Sequence, residues 1–500
     1  MSRLSPVGAA AVALVATVLA PGASPARRDA SPAPLATSLS DFGIRTADYR
    51  RFLARARAAG ATAVRIDLDW AETVGAARPT PREQADPAFE GYDWSDTDRR
   101  LVEIARSGLE PIAEIGDAPS WAERPLPTGA TPAPRGGANV DPDAYGRFAK
   151  AAARRYSGGF EGLPRVRYWD AWNEPNISLF LGPQFVGGKP YSPALYRAML
   201  NAFASGVKSA APGNLVIAGE TAPFRDITPE VKRIDGDWGP LSFMRRLLCL
   251  SRALHPTCKA RATFDIWAHH PYTSGGPLHH AALPDDVSIA DLGKMKAVLD
   301  AAFRAGHVRT SKGRPQFWVG EFGWDSNPPD PAGVPMGLLT RWVAEGLYRM
   351  WAAGVTQVTW LQLVDEPLAR SFNQGGLYAR GVSFAAARPK PILRAFEFPF
   401  VAVPAGGEAT VWGRAPAGDA RSVVVEQRTA AGAWRRLGVV QAGARGTFEA
   451  TLPLRGTGDL RARVAGEGAS VPYALAEPQD RFYNPFGETT RLEPRPKKRG

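Results

Sequence analysis

Two segments hold acidic residues where they could do chemistry. The first is Tyr168-Trp-Asp-Ala-Trp-Asn-Glu-Pro-Asn176, in which an apolar run reaches Glu174 and Pro175 follows at once. Proline lacks a ladder donor, so a strand entering this segment stops there and leaves Glu174 at its end. The second is Gln316-Phe-Trp-Val-Gly-Glu-Phe-Gly-Trp324, in which Gly320 and Gly323 flank Glu321 and leave room for a bulky ligand to approach. Two carboxyls facing across a cleft are what cleavage of a glycosidic bond needs. One protonates the leaving oxygen, and the other attacks or stabilises an oxocarbenium-like centre. Other acids are weaker candidates. Glu220, in Ala218-Gly-Glu-Thr, ends an apolar run and reads as a rim or supporting carboxylate, with Glu114 and Asp117 near a third run. Asp365-Glu366-Pro367 lies in a loop beyond the last run.

The elements that must position these acids alternate from residue 37 to about 398. Short β-branched runs predict strands at Leu39–Ile44, Ala63–Leu68, Glu110–Ile115, Val166–Trp172, Leu215–Gly219, Phe264–His269, Gln316–Gly320 and Gln357–Leu361. Between them lie amphipathic segments. Tyr49, Phe52, Leu53 and Ala56 follow helical spacing, and Gly60 closes that helix. Further helices are expected at 94–107, 143–156, 192–210, 240–253, 289–305 and 336–352. Eight such units fit a (β/α)8 TIM barrel with enlarged loops. A doubly wound open sheet fits the alternation too, but no G-x-G-x-x-G follows the first strand. In a barrel, strands four and seven stand on opposite sides, and Glu174 and Glu321 then face each other across the mouth.

The motifs resemble those of the clan A retaining glycoside hydrolases, with families 39 and 5 nearest. Trp172-Asn173-Glu174-Pro175 is similar to the acid/base motif and Trp318-Val-Gly-Glu321-Phe-Gly to the nucleophile motif. Val64-Arg65-Ile66-Asp67, Tyr92-Asp93-Trp94 with Asp98, Ala118-Pro119-Ser120-Trp121-Ala122, His269-His270-Pro271-Tyr272 and Trp360 resemble further family segments, in the expected order. The resemblance implies a retaining glycosidase with Glu174 as general acid/base and Glu321 as nucleophile. It implies that Asn173 bonds the sugar 2-hydroxyl. Arg65 and Tyr272 would hold Glu321 ionised and oriented, and His270 would line the sugar site. Trp360 would be its stacking floor, and Trp121 would stack a neighbouring sugar. His270 is preferred to His269 because it shares the strand parity of Tyr272. The implied substrate is an oligo- or polysaccharide, and no cofactor is expected. The rival function is a non-catalytic glycan-binding or adhesion protein using the cleft and the C-terminal module.

Composition sets the outer bounds. The chain has 500 residues, 44% of them hydrophobic and 22% charged, with 51 Gly and 45 Pro. That excludes wholesale disorder, a coiled coil and a multi-span membrane protein. The net charge of +12 comes mainly from Arg scattered among acids, so no nucleic-acid partner is expected; the one basic cluster is Arg495-Pro-Lys-Lys-Arg499. Residues 1–26 read as an export signal: Arg3, an apolar run from Gly8 to Ala20, and Ser24-Pro25-Ala26. A secreted protein follows, without stable membrane insertion. A linker occupies 27–36 and the barrel 37–398. A β-sandwich of short alternating strands, resembling immunoglobulin-like repeats, fills 399–475, and a disordered basic tail covers 476–500. The sandwich either binds carbohydrate through Trp412 or Trp434 or packs with its aromatics buried. Cys249 and Cys258 are the only cysteines; a disulfide is expected, with free thiols or a metal pair as alternatives. His269, His270, His279 and His280 come as adjacent pairs, unsuited to one metal face, so no metal is expected.

Overall fold

The computed structural model describes residues 32–40, 42–225, 237–368, 373–416, 418, 421–476 and 480–483. The expected export signal and the end of the tail, 484–500, lie outside them. Eight parallel strands close into a barrel: β1 (Ala36–Ser40), β2 (Ala63–Asp69), β3 (Glu110–Gly116), β4 (Tyr168–Ala171), β5 (Leu215–Thr221), β6 (Ile266–His269), β7 (Gln316–Phe322) and β8 (Gln357–Leu361). Each strand pairs with its sequence neighbours, and β1 closes on β8 from Ala36 opposite Gln357 to Ser40 opposite Leu361. The main helices between and after them are α1 (Tyr49–Ala58), α2 (Ser95–Arg106), α3 (Pro142–Arg155), α4 (Ser192–Ala210), α5 (Pro240–Leu247), α6 (Leu292–Arg304), α7 (Met336–Ala352) and α8 (Pro391–Glu397).

Alternation along the strands divides two cores. Ala63, Ile112, Leu215, Ile217, Ile266, Ala268 and Trp318 fill the barrel interior with Tyr168. The opposite parity, including Val64, Trp169, Trp267, Val319 and Trp360, packs outward on the helices. The first strand lies earlier than its expected span, and Phe42–Arg45 is a 3-10 turn. Its inward positions are small, and Ser38 shares a 2.7 Å hydroxyl hydrogen bond with Thr359; hydrophobicity therefore did not mark it. The fourth strand stops at Ala171 because Trp172 takes φ 76°, outside the extended region.

Beyond α8 the chain forms two antiparallel sheets. One holds β9 (Phe400–Ala405), β10 (Glu408–Arg414) and β13 (Thr447–Pro453). The other holds β11 (Ser422–Arg428), β12 (Trp434–Gln441), β14 (Leu460–Val464) and β15 (Gly468–Ala469). Trp412 is fully buried against Tyr348 and Trp351 of α7, at ring-centroid distances of 5.5 Å. It fastens this module to the barrel and is closed to a ligand. Trp434 is half-buried under the Arg461 guanidinium, 4.2 Å from its ring centre. Cys249 and Cys258 form the expected disulfide. Among the described residues, no helix is long and apolar enough to cross a membrane.

Part of the expected tail is ordered against the barrel. Asp480 accepts from the Gly276 amide at 2.7 Å and meets His279 at 2.8 Å. The buried Tyr483 hydroxyl accepts from the Asp325 amide at 2.9 Å, and its own amide donates to the Ser274 carbonyl at 2.8 Å. These contacts pin the loops after β6 and β7. Tyr483→Ala is expected to cost about 3 kcal/mol, as for other buried aromatic truncations, in urea unfolding of the full chain.

Candidate active site

Arg65 stands at an inward position of β2, in the barrel mouth. Its guanidinium forms a close ion pair with Glu114 of β3 and lies 3.3 Å from Asp170 of β4, 3.7 Å from Glu220 and 3.6 Å from Glu321. It also donates to the Asn173 side-chain oxygen at 3.3 Å. Burial alone would weaken its hold on the proton, but the four carboxylates outweigh that and push its pKa well up.

Glu220 and Glu321 reach the interior by the same device. Three residues of β5 span the length of two on β6 between Ala218 and Thr221, and three of β7 span two on β8 between Val319 and Phe322. Each bulge turns the glutamate inward while the residue after it resumes the outward parity. Each is preceded by a glycine that shares the inward position. A methyl group on Gly320 would overlap the Glu220 carboxylate, and one on Gly323 would overlap the Leu361 carbonyl. The space beside Glu321 is thus filled by the protein's own groups, which corrects its reading as room for a ligand.

Glu174 lies three residues past the end of β4 at φ 38°, with its amide bonded to the Glu220 carbonyl at 2.9 Å. Trp172 anchors the segment by packing on Tyr145 and donating to the Phe180 carbonyl at 3.1 Å. Asn176 ties it to the loop after β5, accepting from the Ala222 amide at 2.8 Å and donating to the Trp238 carbonyl at 2.9 Å. Positive φ at Asp117, Trp172, Glu174 and Glu220 concentrates backbone strain around the mouth.

One short segment holds both candidate catalytic acids. His270 Nδ1 lies 2.8 Å from Glu174 and Nε2 2.6 Å from Glu220. Two residues on, the Tyr272 hydroxyl donates to Glu321 at 2.6 Å. His270 is fully buried beneath the acids and positions Glu174 without itself lining the opening. Its neighbour His269 faces outward: Nε2 donates to the Val287 carbonyl at 3.0 Å, so Nδ1 accepts from the Thr221 hydroxyl at 2.8 Å. Burial holds His269 neutral, with its pKa near 3. Trp360 is displaced from its expected role. It shares the outward parity, packs on Phe322, Trp324 and Phe396, and donates to the Gly375 carbonyl at 2.9 Å; Leu361 takes the inward position. Trp121 is half-buried at the rim against Trp70, 5.7 Å away.

Five carboxyls share this site with two cationic side chains. Burial raises Glu114 to about 7, and it raises Asp170 strongly with Glu220 adding. Burial also raises Glu174, with the charge of Glu321 adding and His270 opposing. Glu220 goes the other way, because Arg65 and His270 together outweigh its burial. His270 rises to about 10: burial opposes its charge, but Glu321 and the bonds to Glu174 and Glu220 prevail. The sequence ranked Glu220 as peripheral; the Gly-Glu pair it shares with Glu321 was the signal that both strands bulge.

No family model and no curated protein matches the sequence. Among solved structures, the chain is similar to a family 39 glycoside hydrolase from the gut symbiont Bacteroides cellulosilyticus WH2. The identity is 17%, the match covers 84% of this chain and 79% of that one, and the TM-score is 0.50. The family 39 enzyme from Xanthomonas axonopodis pv. citri matches at 16% identity over 85% and 93% of the two chains, TM-score 0.47. A monomeric beta-xylosidase from Caulobacter crescentus CB15 matches at 13% over 85% and 95%, TM-score 0.47. The likeness is one of fold, a (β/α)8 barrel.

Two measurements probe this centre. Gly320→Ala forces its methyl group against Glu220 and is expected to cost about 1–3 kcal/mol, the range for overpacking. Gly337→Ala, with open space around it, is the neutral control in the same unfolding experiment. His270 is raised from its ordinary 6.5 to about 10 on folding. Its stabilisation is complete below about pH 6.5 and lost as pH rises through 10. The unfolding midpoint of the wild type should fall across that window more than that of His270→Gln.

Proposed function

We propose that the protein is a glycoside hydrolase cleaving O-glycosidic bonds of an oligo- or polysaccharide by retaining double displacement, with Glu174 as acid/base and Glu321 as nucleophile. The observation that carries the reading is the His270-Pro271-Tyr272 segment, which binds Glu174 with one side chain and Glu321 with the other. His270 and Tyr272 follow the end of β6 two residues apart, so the chain holds their backbones within about 7 Å of each other. The two carboxyls are thereby tethered to neighbouring points on one side of the mouth, which favours the close spacing of about 5–5.5 Å used by retaining enzymes.

In the first step Glu174, its pKa raised by burial, donates its proton to the leaving oxygen while Glu321 attacks the anomeric carbon. Tyr272 and Arg65 hold Glu321 so that its free lone pair faces the sugar. Glycosylation of Glu321 removes its negative charge, and with it one of the interactions that raise the pKa of Glu174. Glu174 then gives up its proton more readily and serves as base for the incoming water. His270, which binds Glu174 and Glu220 together, fixes the acid's orientation through both steps. Asn173, held by Arg65, is in place to bond a sugar hydroxyl beside the reacting carbon.

We further propose that the protein is exported. The basic and apolar start of the chain supports this, and so does the Cys249–Cys258 disulfide, a bond favoured in oxidising compartments.

The test is hydrolysis of a panel of aryl glycosides and polysaccharides. Glu174→Ala should lose about 10²–10⁴-fold in kcat/KM, the usual span for a general acid–base group. It should lose least on aryl glycosides with good leaving groups. Glu321→Ala should be inactive throughout, and the first-released sugar should keep its anomeric configuration by proton NMR. Equal turnover by wild type and both variants sinks the proposal.

A further inference from the structure

A pocket of about 500 Å3 opens between the ends of β2 and β3, separate from the carboxyl centre. Its wall includes Asp69 and Asp117, four residues past Arg65 and three past Glu114 on the chain. At about 3.3 Å per extended residue these lie roughly 10–13 Å beyond the Arg65–Glu114 pair on the same rim. Trp121, Ser120, Arg78 and Arg135 complete the polar and aromatic lining.

The partners of these groups are unusual. Arg45, Arg99, Arg100, Arg124 and Arg155, on the same side of the barrel, each pair with a carboxylate. Arg78 and Arg135 are exposed and have no partner among the described residues, although two carboxylates line the same pocket. The exposed Asp117 carboxyl accepts no hydrogen bond from any described residue, and its backbone is held at φ 52°. The Trp121 indole N–H is buried without an acceptor. Asp69 is engaged, its carboxylate capping the short helix that follows by accepting from the Glu72 amide at 2.7 Å; Asp117, the Trp121 indole and the two guanidiniums face one cavity without partners among the described residues.

We propose that this pocket is a second sugar subsite that takes a uronic acid unit. Such a ring carries what the lining lacks: a hydroxyl to donate to Asp117, an apolar face for Trp121, and a carboxylate for the Arg78 and Arg135 guanidiniums. Burial and the charges of Asp69 and Asp67 raise the pKa of Asp117, which lessens its repulsion of an anionic ligand. The choice of a sugar as ligand class rests on the hydrolase reading. The preference for an acidic one rests on the two free guanidiniums.

Titration calorimetry of the full chain with free glucuronate and galacturonate, against glucose and galactose, tests the subsite without requiring turnover. Both uronates should bind at least tenfold tighter than their neutral counterparts, and the difference should shrink as salt is added. The double variant Arg78→Ala/Arg135→Ala should lose that preference while keeping neutral-sugar binding. Trp121→Ala should weaken both classes, and Glu321→Gln should leave uronate binding unchanged. Equal binding of acidic and neutral sugars, binding of neither, or a preference surviving in the double variant overturns the proposal. Uronate preference in a protein that hydrolyses no glycoside would overturn the hydrolase reading alone.

Discussion

A buried guanidinium surrounded by carboxylates is the constraint on which the barrel mouth is built. Removing an ion from water costs several kcal/mol even after the protein relaxes. A unit-charge contact near 4 Å returns about 4 kcal/mol at an effective dielectric of 20. Arg65 makes such contacts with Glu114, Asp170, Glu220 and Glu321, so the group tolerates burial only as a set. The balance then reaches outward. Glu220, held ionised by Arg65, keeps His270 charged, and His270 in turn fixes Glu174. The acid above and the carboxylate opposite are set by one charge network, which links the orientation of each to the protonation of the others.

Backbone geometry pays for that arrangement in strain. Regular strands present every second residue inward, and the interior at Glu220 and Glu321 needs two consecutive inward positions. The bulges in β5 and β7 supply them, and glycine before each glutamate is what the crowding permits. Glu174 is held differently, on a left-handed backbone past the end of β4, and is kept there by Trp172, Asn176 and the Glu220 carbonyl. Rigidity around the mouth therefore comes from loops tied to loops. The short segment from Asp480 to Tyr483 adds to this by fastening the turns that follow β6 and β7.

The two-sheet module contributes through packing. Its one deeply buried tryptophan, Trp412, is spent against α7, and the Arg414 guanidinium reaches back to the Thr37 hydroxyl at 2.8 Å and the Phe396 carbonyl at 3.1 Å. The first barrel strand and the first sheet of the module are thus joined through one side chain. A strand as small and polar as β1 gains much of its fixation from this contact.

Much of the architecture was legible in the residues. Apolar periodicity located seven of the barrel strands and the helices between them, because burial on two faces demands continuous apolar runs for parallel strands and one-sided spacing for helices. Glu174 and Glu321 were legible as acids at the mouth ends of the fourth and seventh strands, although the fourth strand ends at Ala171 and not at Pro175, and the glycines beside Glu321 make room for the protein's own groups. Strand parity also separated His270 from His269. Tertiary structure alone decided the rest. The direction in which each acid's pKa shifts depends on charges from five different strands meeting in one low-dielectric space, and no local pattern encodes that meeting. The bulge that brings Glu220 beside Arg65, the outward turn of Trp360 and the docking of Trp412 on α7 are likewise set by what lies across the barrel, at distances the sequence does not measure.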